Sequence, residues 1–290
     1  MADHVKRQFT ILGFRTVLRI DGPDRADFLQ GLISNDITRL ARNVAVYAAL
    51  LTAQGRFLHD FFLADFGNSF LLDAEAARAA DLMRRLTVYK LRSRVAIATE
   101  NELVVCAGLG KDALAALGLP RDAGAAIRFA GGVAFTDPRN HAMGARLIIP
   151  RDQETALAQL GFARTDASDY DRLRLSLGIP DGSRDLVPEK SLLMESGFDE
   201  LNGIDWSKGC YVGQELTARM KYRALVKKRL VPVTVEGPMP EPGAAIMSGE
   251  DEVGEIRSGR DGAALALLRL DAIKNAPLHA GAAIISVRSR

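Results

Sequence analysis

The sequence predicts an α+β protein that ends in a small β-barrel or sandwich. Up to about residue 226, runs of β-forming residues alternate with stretches of helical periodicity. After Arg229, short β-type runs are separated by Gly, Pro and Asp turns, a pattern typical of small β-barrels. We therefore predict one domain over residues 1–227 and a second over residues 228–290.

Composition and charge exclude several classes of protein. The 290 residues are 48% hydrophobic and 26% charged, which excludes wholesale disorder, and the net charge of +2 argues against a nucleic-acid-binding surface. Charged residues interrupt every apolar run, so no membrane span is expected. With two cysteines and no apolar secretion signal in residues 1–7, we expect a cytoplasmic protein.

The elements of the first part follow from local pattern. Asp24 is placed to cap a helix that carries Phe28 and Leu29 on its apolar face. A polar break containing Gly55 separates two β-type runs and predicts a hairpin. The predicted strands lie at 9–20, 44–52, 57–65, 69–72, 95–98 and 103–107, and the predicted helices at 74–89, 111–117, 154–160 and 169–177.

Three later parts of the chain complete the outline. Residues 126–149 are strand-rich. Residues 181–207 are rich in Gly, Asp, Pro and Ser and are long for a structureless connection, so we predict a packed functional loop rather than a linker. The β-type runs of the last domain lie at 230–235, 244–247, 252–256, 263–270 and 283–287.

The octapeptide Lys208-Gly209-Cys210-Tyr211-Val212-Gly213-Gln214-Glu215 is the most informative segment. Residues 214–222 are good helix formers, so Cys210 is expected just ahead of a helix N-terminus, where the thiolate is favoured. Lys208 is expected to strengthen this effect. Cys210 is thus a candidate nucleophile or metal ligand, and the alternative interpretation is a buried packing residue. Cys106 lies in an apolar strand and is predicted to be core.

A metal site built from this chain alone is not predicted. One cysteine cannot hold an iron–sulfur cluster, which needs several ligands. The histidines at positions 4, 59, 141 and 279 show no metal-ligand spacing. If metal or cluster chemistry is involved, Cys210 acts with a partner chain or contributes only one ligand.

The octapeptide, followed by Ala218-Arg219, resembles the signature of YgfZ-type proteins, a branch of the glycine-cleavage T-protein (aminomethyltransferase) superfamily. The resemblance extends over nearly the whole chain. It is carried by Gly22-Pro23-Asp24, Phe28-Leu29-Gln30-Gly31, Asn35-Asp36, Gln54-Gly55-Arg56, Arg172-Leu173-Arg174, Gly178-Ile179-Pro180, Pro188-Glu189 and the β-rich tail.

The resemblance implies a fold, a ligand and a function. The expected fold is a folate-binding body of two intertwined α+β lobes, closed by a C-terminal β-barrel, with tetrahydrofolate as cofactor. The expected function is assembly or repair of iron–sulfur enzymes, so that iron–sulfur client proteins are the partners. By the same resemblance, Cys210 and Asp36 are the candidate catalytic residues. The candidate folate-binding residues are Asn35, Arg56, Ser176, Tyr211, Gln214 and Arg223.

Two positions depart from the superfamily pattern. In true aminomethyltransferases the position of Ser176 holds a Glu that grips the pterin, and a hydroxyl cannot offer a bidentate carboxylate. Enzymatic aminomethyl transfer is therefore doubtful. Ala224 stands where the family has Gly, and we expect ordinary helical or extended backbone there.

Several interpretations stay open at this level. Asn35 and Asp36 could contact folate or cap a loop, and Arg56 could bind a ligand carboxylate or be solvated. The basic run comprises Arg219, Lys221, Arg223, Lys227, Lys228 and Arg229. It is a solvated helix face, or it binds a polyglutamylated folate tail or an acidic partner. The alternative functions are a one-carbon transferase and a non-catalytic folate-binding scaffold.

Overall fold

The computed structural model describes residues 7–273 and 277–288. The N-terminal segment with His4 and the outer ends of both predicted domains lie outside these residues. The helices are α1 (Arg25–Gln30), α2 (Ala79–Lys90), α3 (Ala113–Ala116), α4 (Glu154–Gln159), α5 (Ala167–Ser176) and α6 (Gln214–Tyr222). Short 3-10 helices lie at Ile37–Arg42, Ala76–Arg78, His141–Met143, Arg151–Gln153 and Gly182–Arg184.

The strands, numbered along the chain, supply two sheets and a barrel. They are β1 (Gln8–Ile11), β2 (Arg15–Asp21), β3 (Val46–Leu51), β4 (Phe57–Phe66), β5 (Ser69–Glu75), β6 (Ala96–Thr99), β7 (Leu103–Leu109), β8 (Ala126–Phe129), β9 (Gly132–Thr136), β10 (Ala145–Pro150), β11 (Ala163–Arg164), β12 (Lys228–Glu236), β13 (Ala245–Ser248), β14 (Asp251–Arg260), β15 (Ala263–Arg269), β16 (Leu278–Ala280) and β17 (Ala283–Val287).

The chain folds into two compact units that are each assembled from separate stretches. The first unit runs up to Leu51 and also contains His59–Tyr170 and Leu201–Val212. The second contains Thr52–Leu58, Asp171–Glu200 and the chain from Gly213 onward. The domain boundary predicted at residues 227/228 was placed where the residue pattern changes, whereas these units are defined by contacts in the fold. The boundary therefore stays a prediction.

Unit 1 holds both open sheets. One has six strands in the order β11-β1-β7-β10-β9-β8, and the other has five in the order β3-β4-β5-β2-β6. In the six-stranded sheet β1 pairs in parallel with β11 and antiparallel with β7. These sheets are antiparallel except for the β1–β11 pair, and their combination with helices confirms the predicted α+β class.

A buried ion cluster joins the two sheets of unit 1. The carboxylate of Asp73 on β5 accepts a 2.7 Å hydrogen bond from Arg15 Nε on β2, and it also pairs with Arg146 on β10. The side chain of Asp73 is fully buried, and each arginine side chain is 2% exposed. The Arg146 guanidinium carbon also lies 4.0 Å from the ring centre of Phe62. A buried carboxylate needs such partners because it has lost its water.

A second ion pair extends this cluster. Asp137 and Arg139 are both buried, and their side chains meet at 2.7 Å. Burial by itself would raise the pKa of Asp137, but the adjacent Arg139 guanidinium holds the pKa below its usual value. The Arg139 side chain also donates to the Tyr170 hydroxyl at 3.2 Å. These ion pairs therefore form a hydrogen-bonded polar network within the otherwise largely apolar interior of unit 1.

Unit 2 contains a closed barrel with the strand order β12-β15-β14-β13-β16-β17. Its core includes Val233, Ile246, Ile256, Leu268 and Ile285, each no more than 3% exposed. The barrel strands were predicted from short runs between turns, and only the three-residue β16 was missed. The predicted small C-terminal β-barrel is confirmed.

A buried arginine ties α5 and the following loop to the barrel. The Arg174 side chain is fully buried and contacts carboxylates of Asp171 and Asp185, each at 2.7 Å. It also donates to the Ser258 hydroxyl on β14 at 2.7 Å. In the same loop Leu186 and Phe198 are fully buried. This part of the 181–207 stretch is therefore packed, as predicted, and is not a linker.

Some local predictions were wrong in detail. The single strand predicted at 9–20 is two strands, β1 and β2, which belong to different sheets. Asp24 does stand at the N-cap position of α1, but its side chain makes no capping bond. It accepts instead from the backbone N–H and the guanidinium of Arg94. A partner 70 residues away could not be read from local pattern.

The backbone at Ala224 differs from the expected ordinary geometry. Its φ is +49°, in the left-handed region that the Gly of the family pattern would enter without strain. The turn is held by hydrogen bonds from Ala224 N–H to Lys221 O and from Leu225 N–H to Met220 O. The expected helical or extended backbone at Ala224 was wrong. This residue follows the C-terminus of α6, where a left-handed residue reverses the direction of the chain.

No helix within the described residues is both long and apolar enough to cross a membrane.

Replacement of Asp73 by Asn is expected to lower the free energy of unfolding by about 3–5 kcal/mol, since two buried arginines would lose their shared counter-charge. Urea titration measures this change. The control is Asp65→Asn, because the Asp65 side chain is 29% exposed and pairs only loosely with Arg128 at 3.3 Å. Equal effects of the two substitutions would contradict the role assigned to Asp73.

The Ala224→Gly variant is expected to gain about 0.5–1 kcal/mol of unfolding free energy, because glycine relieves the left-handed strain. The matched control is Ala218→Gly inside α6, which is expected to lose about 0.5–1 kcal/mol. Thermal unfolding of both variants checks the signs. A loss of stability at position 224 would show that the turn is not strained.

Candidate functional site

Cys210 lies in an irregular segment of unit 1, residues 203–212, called here the Cys210 loop. The cysteine is exposed, whereas the next residue, Tyr211, is only 9% exposed. Helix α6 begins at Gln214, four residues after the cysteine, and Gly213 precedes it with a φ of +81°. The predicted order of cysteine, glycine and helix start is therefore correct, and the interpretation of Cys210 as a buried packing residue is wrong.

The ammonium group of Lys208 fastens this loop to another part of unit 1. Its Nζ donates to the carbonyl oxygens of Gln30, Ile33 and Asn35 at 2.8, 2.7 and 2.8 Å. The same nitrogen lies 5.1 Å from the ring centre of Tyr211. Gln30 is the last residue of α1, where carbonyl groups lack helical partners, so the lysine caps that helix end from a distant point in the chain.

This geometry changes the role expected for Lys208. Burial lowers the pKa of Lys208 to about 8, against the opposing charges of Asp36 and Asp205. Three carbonyl acceptors match the three N–H donors of an ammonium group. The cation was expected to act on the Cys210 thiol, but its donors are directed at the 30–35 segment. Its primary effect is therefore to hold the loop.

Backbone and hydroxyl contacts fasten the Cys210 loop at further points. The Val212 N–H donates to Gly31 O at 3.0 Å, and the Asp205 N–H donates to Ser34 O at 3.0 Å. The Ser34 hydroxyl donates to Gly203 O at 2.6 Å. Cys210 is thus an exposed side chain between residues that are anchored on both sides.

Asn35 and Asp36 occupy the segment to which the loop is anchored. Asn35 is 1% exposed, and its amide nitrogen donates to Tyr47 O and Asn202 O, each at 2.7 Å. Its side-chain oxygen accepts from the Asp36 N–H. The Asn35 side chain therefore supports the fold of this segment.

Asp36 caps the 3-10 helix Ile37–Arg42. Its carboxylate accepts from the Thr38 N–H at 3.0 Å, the Thr38 hydroxyl at 2.7 Å and the Gln30 amide at 2.9 Å. Partial burial would raise the pKa of Asp36, but these hydrogen bonds and the positive charge of Lys208 hold it below its usual value. At neutral pH the group is an ionised carboxylate, which suits a cap or a cation contact better than proton donation.

The remaining predicted folate contacts belong to unit 2. Ser176 is exposed, and its hydroxyl donates to Leu173 O of its own helix at 2.7 Å. Arg56 is exposed and donates to Lys190 O at 2.8 Å. Gln214 opens α6 and is half-buried, while Arg223 ends that helix and is exposed. Of the predicted residues, the structure brings Asn35, Asp36 and Tyr211 together through Lys208.

The hairpin glycine predicted to be a turn residue has a second role. A Cβ on Gly55 would lie 2.7 Å from Gly213 O and 2.8 Å from the Leu216 Cβ, and its φ is +81°. Only glycine therefore allows the hairpin tip to pack on the first turn of α6.

Two further predictions concern Cys106, expected in the core, and metal binding by the His, Cys, Asp and Glu side chains. Cys106 is fully buried, as predicted, and burial raises the pKa of its thiol to about 12. Within residues 7–273 and 277–288, no group of three or more His, Cys, Asp or Glu side chains is arranged to hold a metal ion.

Comparison with protein families matches residues 227–289 to the CAF17 C-terminal beta-barrel domain. The human mitochondrial iron-sulfur cluster assembly factor IBA57 is 36% identical over 285 residues, which cover 91% of this chain and 78% of the human protein. The protein of the same name from mouse has the same identity and coverage. The IBA57 homolog of Pyricularia oryzae is 33% identical over 91% of this chain and 72% of its own length.

Among solved structures, the glycine cleavage system aminomethyltransferase T from Bartonella henselae matches with a TM-score of 0.79. It covers 98% of this chain and 86% of that chain at 17% identity, a level that supports the fold alone. The predicted T-protein-like fold is confirmed.

These relatives correct two expectations. They carry the IBA57 name rather than the YgfZ name. They are also named as mitochondrial proteins, which overturns the cytoplasmic location expected for this chain. The cysteine count argues only against an oxidising compartment and does not distinguish one reducing compartment from another. The identity and coverage show that this chain belongs to the IBA57 family of iron–sulfur cluster assembly factors.

Proposed function

We propose that this chain supports the assembly or repair of iron–sulfur enzymes and that Cys210 is its functional thiol. The observation that carries the proposal is the exposure of Cys210 on a loop anchored by Lys208, Tyr211 and Val212. An anchored loop presents a reactive group in one orientation, which reduces the entropy lost when a partner engages it.

Cys210 is proposed to act on a cluster that is cargo rather than a resident cofactor. A cluster needs several thiolate or imidazole ligands, and one cysteine supplies a single ligand. The described residues offer no preformed metal-binding group to complete the set. The client protein therefore supplies the remaining ligands, and the Cys210 sulfur donates electron density to iron during transfer.

Tetrahydrofolate is proposed as a ligand. The described residues suit its glutamyl tail better than its pterin ring. Arg56 and Arg223 expose guanidinium groups, which suit the carboxylates of the glutamyl tail. Ser176 does not fit the pterin grip, because its hydroxyl is bonded to its own helix and offers no carboxylate. Gln214, at the start of α6 in the same unit as these three residues, is a further proposed contact. Bound folate would supply a one-carbon carrier.

Aminomethyl transfer is not the function we propose. That reaction requires a firm hold on the pterin and a group that manages the proton of the reacting amine. Ser176 lacks the first property, and Asp36 is occupied as a helix cap by Thr38 and Gln30. A non-catalytic folate-binding scaffold remains the alternative, and it differs in not requiring the thiol.

The Cys210→Ser variant is expected to lose at least about nine-tenths of the client-activating rate, because a hydroxyl does not replace a thiolate as an iron ligand. The assay follows the recovery of activity in a purified apo iron–sulfur enzyme supplied with iron and sulfide. The matched control is Ser207→Ala, which alters an exposed neighbour in the same loop. Full activity of the serine variant would favour the scaffold instead.

Folate binding is tested by calorimetric titration of reduced folates into the wild type and into Arg56→Gln, Arg223→Gln and Asp36→Ala. Each arginine variant is expected to bind about tenfold more weakly, a loss typical of a charge-assisted hydrogen bond. The half-buried Trp206 gives a second, fluorescent readout. If the wild type binds no reduced folate, the folate part of the proposal is wrong, whatever the result for Cys210.

A further inference from the structure

The end of α6 and the chain that follows it form an exposed surface of fixed shape, residues 219–228, called here the basic turn. Arg223 N–H donates to Arg219 O at 3.0 Å, and Leu225 N–H donates to Met220 O at 3.1 Å. Met220 is 4% exposed and anchors the helix end. The left-handed Ala224 between these contacts directs the chain back toward β12. The backbone of this turn is therefore held in a defined conformation.

Apolar groups are exposed at the centre of this surface. The Tyr222 side chain is 73% exposed and Leu225 is 44% exposed. Burial of such an aromatic ring would stabilise an interface considerably, since tyrosine is among the residues that most often anchor protein–protein contacts. A folded chain gains nothing for its own stability from leaving both groups in water.

Cations surround these apolar groups. The exposed basic side chains of the turn are Arg219, Lys221, Arg223, Lys227 and Lys228. The carboxylate nearest in sequence, Glu215, is 3.8 Å from Arg219, and its side chain is 90% exposed, so the pair is loose. Glu195 also interacts with the charge of Lys228. The turn still carries more positive than negative charge, although the whole chain carries only +2.

The last cation of the basic run has a different role. Arg229 is half-buried, forms ion pairs with Asp199 and Glu200, and donates to Met194 O. It fastens the start of β12 to the preceding loop. The run predicted from sequence as one feature therefore divides into a structural arginine and an exposed group of five.

We propose that the basic turn is a docking surface for an acidic iron–sulfur client protein, with Tyr222 as its central contact. This inference rests on the proposed function, which requires a protein partner. An aromatic anchor within a charged rim is the usual anatomy of a specific interface, and opposite charge accelerates encounter. The client would present carboxylates to the cations and an apolar patch to Tyr222 and Leu225.

The charge and the single exposed aromatic ring of the basic turn favour an acidic protein as its partner over nucleic acid or an anionic membrane. Single-stranded nucleic acid is held by several stacked aromatic side chains along a basic groove, whereas this turn has one exposed ring. An interfacial membrane helix presents a continuous apolar face to lipid. In α6 the buried side chains Thr217 and Met220 face the protein interior instead.

The test combines direct binding with client activation, using one purified apo iron–sulfur enzyme of acidic isoelectric point as the probe. The docking variants are Tyr222→Ala and the double variant Lys221→Glu, Lys227→Glu, which leaves the proposed folate contact Arg223 in place. The charge-matched control is Lys111→Glu, Arg121→Glu, which reverses two exposed cations elsewhere. All four positions of the charge variants are exposed, so their thermal unfolding is expected to match the wild type.

We expect the Kd for the client and the half-maximal concentration for activation to rise at least about tenfold in both docking variants. The maximal activation rate and the control are expected to stay unchanged, and wild-type binding weakens with salt. We expect Cys210→Ser to lose the maximal activation rate with no change in the Kd for the client. That result would show that the thiol acts after the client has bound.

The other possible results decide for or against the docking surface as follows. Unchanged Kd values in the docking variants, or no client binding by the wild type, overturn the inference. The same holds if these variants lose binding only to single-stranded RNA or to phosphatidylglycerol vesicles. Salt-sensitive client binding that is lost in the docking variants, but with no activation by the wild type, supports the docking surface and rejects the proposed function.

Discussion

The Asp73 carboxylate is the contact on which the architecture of unit 1 depends. It lies between Arg15 and Arg146, which come from different sheets, and all three side chains are buried. Each ionised group has lost its hydration and depends on buried partners, so a rearrangement that separated the two sheets would leave a buried charge without its counter-charge. Apolar packing supplies stability, whereas this cluster adds specificity of arrangement.

The same physical principle operates at the Cys210 loop on a smaller scale. Lys208 places an ammonium group among the carbonyl oxygens of Gln30, at the end of α1, and of Ile33 and Asn35 just after it. The loop is thereby held without being part of a helix or strand, and Cys210 remains accessible within it. An ordered loop and an exposed thiol are what the proposed role of Cys210 in cluster assembly requires.

Local pattern predicted much of the fold and part of the candidate site. The hairpin around Gly55, the start of α6 and the strands of the barrel depend on turn residues and short-range periodicity, and they were predictable. The side-chain partners were not. Asp24 has the residue type of an N-cap, yet its carboxylate is taken by Arg94. Lys208 is adjacent to Cys210 in sequence, yet it bonds to carbonyls more than 170 residues earlier.

The sequence by itself determined the α+β class, the barrel that follows it and the octapeptide that marks Cys210, because these depend on the spacing of residues close together in the chain. Tertiary structure decided how the charged residues are used. It joined Asp73 to two arginines, made Asp36 a helix cap, directed Lys208 away from the expected thiol contact and forced Ala224 into left-handed backbone. The physical reason is that a charged or polar group takes the partner that the packed chain brings to it, and sequence distance does not reveal that partner.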